Sequence, residues 1–174
     1  MSTWNIDGAH SEIGFKVKHL MVSTVKGFFG GFSGTMTSDD DSLTNAKVSF
    51  EADVASINTK NEGRDGHLKG ADFFDADKFP KITFVSTAFA KKPDDNFTVT
   101  GDFTMKGVTK SIELNAVLNG TTKGMDSKRV MSFDIEGMIN RMDYGVSWNS
   151  VIETGGVAVS PEVWISANVE LIEE

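Results

Sequence analysis

Ala46-Lys47-Val48-Ser49-Phe50-Glu51-Ala52-Asp53-Val54 decides how this chain folds. Every second residue is apolar and those between are polar or charged, the period of a strand with one dry face and one wet face. The pattern recurs. Ile13, Phe15 and Val17 alternate with Glu12, Lys16 and Lys18; Phe97, Val99, Phe103 and Met105 with Thr98, Thr100, Asp102 and Lys106; Ile112, Leu114, Ala116 and Leu118 with Ser111, Glu113 and Asn115. Met131, Phe133, Ile135 and Ile139 share a face, as do Val163, Ile165, Ala167, Val169 and Leu171. Weaker alternation at 4–7, 23–36 and 81–91 brings the expectation to about eight or nine strands.

Turn residues separate the strands at 38–42, 93–96, Lys106-Gly107 and 119–124. Short turns imply antiparallel pairing, and so large a sheet with one apolar face must close into a barrel or stack as a sandwich. The charged face lies outside, the reverse of an outer-membrane barrel. Gly14, Gly101 and Gly137 interrupt the apolar rows, and Ala52, Ala116 and Ala167 sit among larger neighbours. These small residues permit either an internal cavity or the bends that barrels need. Lys26-Gly27-Phe28-Phe29-Gly30-Gly31-Phe32-Ser33-Gly34 lacks the order of a phosphate loop and reads as one strongly bent strand, with Phe28 and Phe32 filling space on one side.

A chain of 174 residues suits one domain, taken as 1–174, large enough to hold a core. The absence of cysteine removes disulfides, thiol nucleophiles and thiolate metal sites. A net charge of −8 argues against nucleic acid. No apolar run spans a bilayer. Met1-Ser2-Thr3-Trp4-Asn5-Ile6-Asp7 has no basic segment leading into an apolar one, so the chain as written is expected in the cytoplasm; one whose signal had been removed would be periplasmic. Thirteen phenylalanines against one tyrosine favour a dry interior.

One segment breaks the β pattern. Thr59-Lys60-Asn61-Glu62 matches a capping box with Thr59 as N-cap, and a helix over 60–69 would end at Gly70. Asp72-Phe73-Phe74-Asp75 follows it. A short helix followed by two phenylalanines suits a lid at a barrel mouth, or a cap on a filled barrel. Arg64, Asp65 and His67 beside Phe73 and Phe74 form the strongest polar cluster: an acid/base pair with an anion clamp, a polar gate for an amphiphile's head, or helix-surface charges. No H-E-x-x-H, nucleophile elbow or calcium loop occurs. A metal site on His10 and His19 would need a carboxylate from elsewhere.

Ordered blocks along the chain resemble the YceI-like family of polyisoprenoid-binding, lipocalin-like proteins. They are Trp4-Asn5-Ile6-Asp7-Gly8-Ala9-His10-Ser11, His19-Leu20-Met21, Gly27-Phe28, Ala55-Ser56-Ile57-Asn58-Thr59, Arg64-Asp65-Gly66-His67-Leu68, Phe79-Pro80-Lys81-Ile82-Thr83-Phe84, Gly101 to Lys110 and Asn140-Arg141-Met142-Asp143-Tyr144-Gly145. The resemblance implies an all-β, eight-stranded antiparallel β-barrel with one short helix near its mouth and a long apolar pore. It further implies a bound polyprenyl or quinone tail, or another long lipid, with no enzymatic activity established for the family as a whole. Many members are periplasmic and some are dimers, so a homodimer joins the expectations.

The expected function is therefore binding, storage or carriage of a long-chain amphiphile, with no cofactor, no metal and no catalytic residue. The expected ligand contacts are Phe15, Val17, Phe28, Phe32, Phe50, Arg64, His67, Leu68, Phe73, Phe74, Phe84, Phe103, Met105, Ile135 and Ile165. Two other classes remain open: a small-molecule enzyme using Arg64, Asp65 and His67, and an empty structural or stress-response barrel.

Overall fold

The structure is a computed structural model that describes residues 1–150 and 156–174. Its strands are β1 (Ser2–Ile6), β2 (Glu12–His19), β3 (Ser23–Phe29), β4 (Phe32–Ser38), β5 (Lys47–Asp53), β6 (Ile57–Asn58), β7 (Lys81–Lys91), β8 (Asn96–Met105), β9 (Val108–Lys123), β10 (Arg129–Asn140) and β11 (Val159–Glu173). Helix α1 (Glu62–Lys69) lies between β6 and β7, and single 3-10 turns occupy Val54–Ser56 and Arg141–Tyr144.

Pairing runs β1-β4-β5-β7-β8-β9-β10-β11, and β1 returns to β11, so eight strands close an antiparallel barrel. The remaining strands arise because three wall positions are built from two pieces. β11 carries β1 along its last residues (Ile6 opposite Leu171) and β2 along its first (Val17 opposite Val163). The β2–β3 hairpin, with β6 against β3, thereby continues the wall beyond the closed ring.

The expected bent strand over 23–36 is two strands, broken at Gly30-Gly31. There the Gly31 carbonyl accepts from the Asp53 N–H at 2.8 Å, and a Cβ on Gly31 would meet the Asp53 carboxylate at 2.7 Å. The turn expected at 119–124 also moves. β9 runs on to Lys123 and the chain reverses over 124–128, where the Gly124 N–H reaches the Lys128 carbonyl at 2.8 Å. The glycine at 120 serves a bulge instead, where the register against β10 shifts between Ser132 and Phe133.

One end of the barrel is plugged. Trp4, Phe97 and Met131 from the strand ends are buried there, joined by Leu43 from the β4–β5 loop. The opposite end carries α1, the 70–80 loop and the 3-10 turn at Arg141. Lys106, in the β8–β9 turn, donates to the carbonyls of Ala71 and Gly145 and ties these covering segments together. Among the described residues no helix is long and apolar enough to cross a membrane.

Candidate ligand-binding cavity

A cavity of about 230 Å³ lies inside the barrel, and every strand of the ring contributes to its wall. The inward rows of the alternation supply most of the lining, because successive side chains of a strand point to opposite faces. Phe15, Val17, Phe50, Phe84, Phe103, Met105, Ile135 and Ile165 all stand on it. At the end covered by α1 it is finished by Leu68, Phe73 and Phe74. Phe29 links the two groups, its ring centroid 5.7 Å from Phe15 and 6.3 Å from Phe74.

Inward glycines accommodate large neighbours rather than leaving holes. The Phe15 ring lies over Gly27, Phe84 over Gly101, Leu114 over Gly137 and Ile6 over Gly34. Each of these side chains lies along the wall, which keeps the lumen free. Gly14 is part of the lining, and a Cβ there would meet the Ser166 carbonyl at 3.0 Å and the ring of its cross-strand partner Phe28 at 3.3 Å.

Four expected contacts fall outside the lining. Phe28 points outward, because β3 sets Val25, Gly27 and Phe29 toward the interior and Lys26 and Phe28 away from it. The outward charge of Lys26 marks that register in the sequence. Phe32 packs beside Phe50, with centroids 6.4 Å apart, without reaching the cavity. Arg64 is exposed and committed to the loop before its helix: Nε donates to Thr59 Oγ1 at 2.7 Å and Nη2 to the Thr59 carbonyl at 2.6 Å. His67 stands outside, with Nε2 2.8 Å from Asp72 Oδ2 and its ring edge-on to Phe73 and Trp148.

The helix start also departs from expectation. Asn61 is the N-cap, its side chain accepting from the Arg64 N–H at 2.9 Å. Thr59 is pinned instead, its N–H donating to Asp65 Oδ1 at 2.9 Å. Arg64 and Asp65 thus converge on Thr59 while His67 turns to Asp72, so the three do not assemble around a reacting atom. Gly70 follows the helix as expected, its N–H donating to the His67 carbonyl.

Among the described residues, the cavity lining includes one charged side chain, Arg141. It follows the inward row Met131, Phe133, Ile135, Gly137 and Ile139 at the same period of two, so extending that row by one step locates it. Arg141 is buried, and its donors meet backbone carbonyls: Nε to Ser160 at 2.9 Å, Nη1 to Val146 at 2.7 Å and Trp148 at 2.9 Å, Nη2 to Val159 at 3.0 Å. No carboxylate lies within ion-pair distance of it among the described residues. Burial pushes its pKa below the ordinary guanidinium value, yet such a group stays protonated in proteins. Four carbonyl dipoles offset its desolvation, and the guanidinium still makes this part of an otherwise apolar lumen electropositive.

His10 and His19 do not meet. His10 Nδ1 is 2.7 Å from Asp7 Oδ2 and 3.8 Å from Glu170 Oε1, on the outside of the bend between β1 and β2. The Asp7 hydrogen bond, followed by the charges of Asp7 and Glu170, raises the His10 pKa; the same bond lowers that of Asp7.

The YceI-like domain model matches residues 4–171. This chain belongs to the YceI-like family. It is 41% identical over 171 residues to a UPF0312 protein of Staphylococcus aureus strain MSSA476, covering 98% of this chain and 97% of the relative. Among solved structures, the Campylobacter jejuni YCEI protein is 35% identical with a TM-score of 0.78, over 97% of this chain and 96% of that one. Burkholderia cenocepacia BcnA is 25% identical with a TM-score of 0.83, over 95% and 98%. A polyisoprenoid binding domain from Saccharophagus degradans shares the fold at 16% identity and a TM-score of 0.69, covering 98% of each chain.

Proposed function

We propose that this YceI-like protein holds one long-chain amphiphile, a polyisoprenoid or similar lipid, with its tail along the barrel axis, and that it catalyses no reaction. The observation that carries the reading is the wall itself: an axial cavity lined by apolar side chains, with Arg141 the single charged one among the described residues. Such a lining recognises hydrocarbon and little else. Each methylene moved from water to this wall contributes about 0.8 kcal/mol, so a tail of several isoprene units offsets the cost of ordering it. The polyisoprenoid-binding domain with the same barrel supports the choice of tail. Arg141 takes over the part that sequence reasoning assigned to Arg64, favouring a phosphate, carboxylate or quinone oxygen near it over an amine.

Among the described residues, nothing lining the cavity pairs a nucleophile with a base, which is the ground for the non-catalytic reading. The test is native mass spectrometry of gently purified protein, followed by organic extraction and mass analysis of the extract. A stoichiometric adduct that elutes as a prenyl-chain lipid is the expected result. Protein that arrives bare, and after delipidation takes up no polyprenyl phosphate or ubiquinone, would leave the structural-barrel alternative in its place.

A further inference from the structure

The β2–β3 hairpin ends in Leu20-Met21-Val22, which are 41%, 56% and 84% exposed. Among the described residues this is the one run of consecutive exposed large apolar side chains. The turn makes it more unusual. Leu20 and Met21 both have positive φ, 51° and 65°, and the His19 carbonyl accepts from the Val22 N–H at 3.2 Å. Positive φ at both central residues of the 19–22 turn, within this three-residue hairpin loop, favours Asn and Gly. Leucine and methionine there meet a conformational penalty with little burial to offset it, so the fold by itself does not account for them.

Behind the tip the outer face of the hairpin is basic. Lys16 and Lys26 are direct cross-strand partners, an arrangement that destabilises a sheet, and Lys18 stands one step nearer the tip. None of the three enters an ion pair among the described residues. Trp164 of β11 lies opposite Lys16 on the same face, half-buried. A cationic face with an apolar tip and an interfacial tryptophan stands out on a chain of net charge −8.

We propose that this end of the molecule docks on an anionic lipid bilayer. Leu20, Met21 and Val22 enter the boundary between headgroups and acyl chains, Trp164 lies at headgroup level, and Lys16, Lys18 and Lys26 meet the phosphates. The acidic remainder of the protein is repelled by the same surface, which fixes which end faces it. A second copy of this chain is the rival occupant, and charge disfavours it: pairing this patch with itself brings lysines against lysines. Docking here also brings the cavity to the membrane. The Leu20 N–H donates to the Ala158 carbonyl at 2.9 Å, and Val17 and Val159 beside it line the lumen. The inference goes beyond the proposed lipid binding and stands without it.

The experiment is co-sedimentation of the full chain with phosphatidylcholine vesicles, with and without phosphatidylglycerol. The parent should bind only the anionic vesicles, and less as salt rises. Lys16→Gln with Lys26→Gln should weaken binding by roughly fivefold per lysine, near thirtyfold together. Leu20→Asn with Met21→Gly suits the turn better than the native pair, so the variant should fold and still lose the vesicles. Cavity lipid, scored separately by native mass spectrometry, should stay at the parental level in both, which keeps a failure of docking distinct from a failure of lipid binding. The proposal is overturned if the parent ignores anionic vesicles, or binds both kinds equally, or if the variants bind like the parent. Light scattering that shows the parent as a dimer and the tip variant as a monomer, with vesicle binding unchanged, would also overturn it and assign the hairpin to a second copy of the chain.

Discussion

Phe15 over Gly27 and Phe84 over Gly101 pose the same question at the scale of one residue and answer it differently. A Cβ at position 27 would overlap the far tip of the Phe15 ring, which can swing away into the lumen. A Cβ at position 101 would also stand 2.6 Å from the Val85 carbonyl oxygen, which is backbone and cannot swing. Gly101→Ala should therefore cost stability, about 1–3 kcal/mol by urea unfolding, as overpacked sites do. Gly27→Ala should cost less and instead lower lipid retention, because the displaced ring takes up cavity space. Equal stability losses with unchanged retention would mean that these glycines do not shape the lumen. Arg141 shows why some single residues elude a sequence reading. Its spacing places it inward, but its charge argues for a surface position, and only the four carbonyls gathered from Val146, Trp148, Val159 and Ser160 reconcile the two.

At the scale of elements, the bend between β1 and β2 is held to β11 by several contacts. The Asp7 N–H donates to the Glu170 carbonyl at 2.8 Å, Ser11 Oγ accepts from the Glu170 N–H at 2.9 Å, and His10 bridges Asp7 and Glu170. The His10 pKa is raised above the ordinary 6.5 and that of Asp7 lowered below the ordinary 3.8. The contribution of His10 is thus complete below pH 6.5 and lost as pH rises through its raised value; that of Asp7 is lost as pH falls through its lowered one. The imidazole resonances of His10 should titrate with a midpoint above 6.5, and Asp7→Asn should bring that midpoint down. A midpoint indifferent to Asp7→Asn would remove the bridge in solution. Helix α1 illustrates the limit of local patterns. Its position and its glycine end follow from spacing, but two residues, Thr59 and Asn61, compete for the cap, and the choice is made by Asp65 and Arg64 closing on Thr59. That closure also withdraws Arg64 from any ligand, which no spacing rule reveals.

For the whole molecule, the apolar rows on successive strands were enough to locate most of the lumen, because a barrel converts alternation directly into inside and outside. Sequence reasoning went astray where the wall changes course: at Gly30-Gly31, where one expected strand is two and Phe29 rather than Phe28 turns inward, and at the bulge near Ser132, which extends β9 past its expected turn. Breaks of this kind depend on contacts with distant strands. The filled-or-hollow question can be tested on one small residue of the wall. Ala167 faces the cavity, and Ala167→Phe should occupy it. Lipid retention by native mass spectrometry should then fall to background with the circular dichroism of the barrel preserved; retention at the parental level would place the tail elsewhere. The pairing of β1 with the last residues of β11, Trp4 opposite Glu173, has a consequence during synthesis. β1 is made well before its partner β11, so the ring cannot shut until β11 has been synthesised. Until β11 leaves the ribosome, the phenylalanine-rich inner face is an open sheet with two free edges, the state in which chaperones and stray strands compete for it.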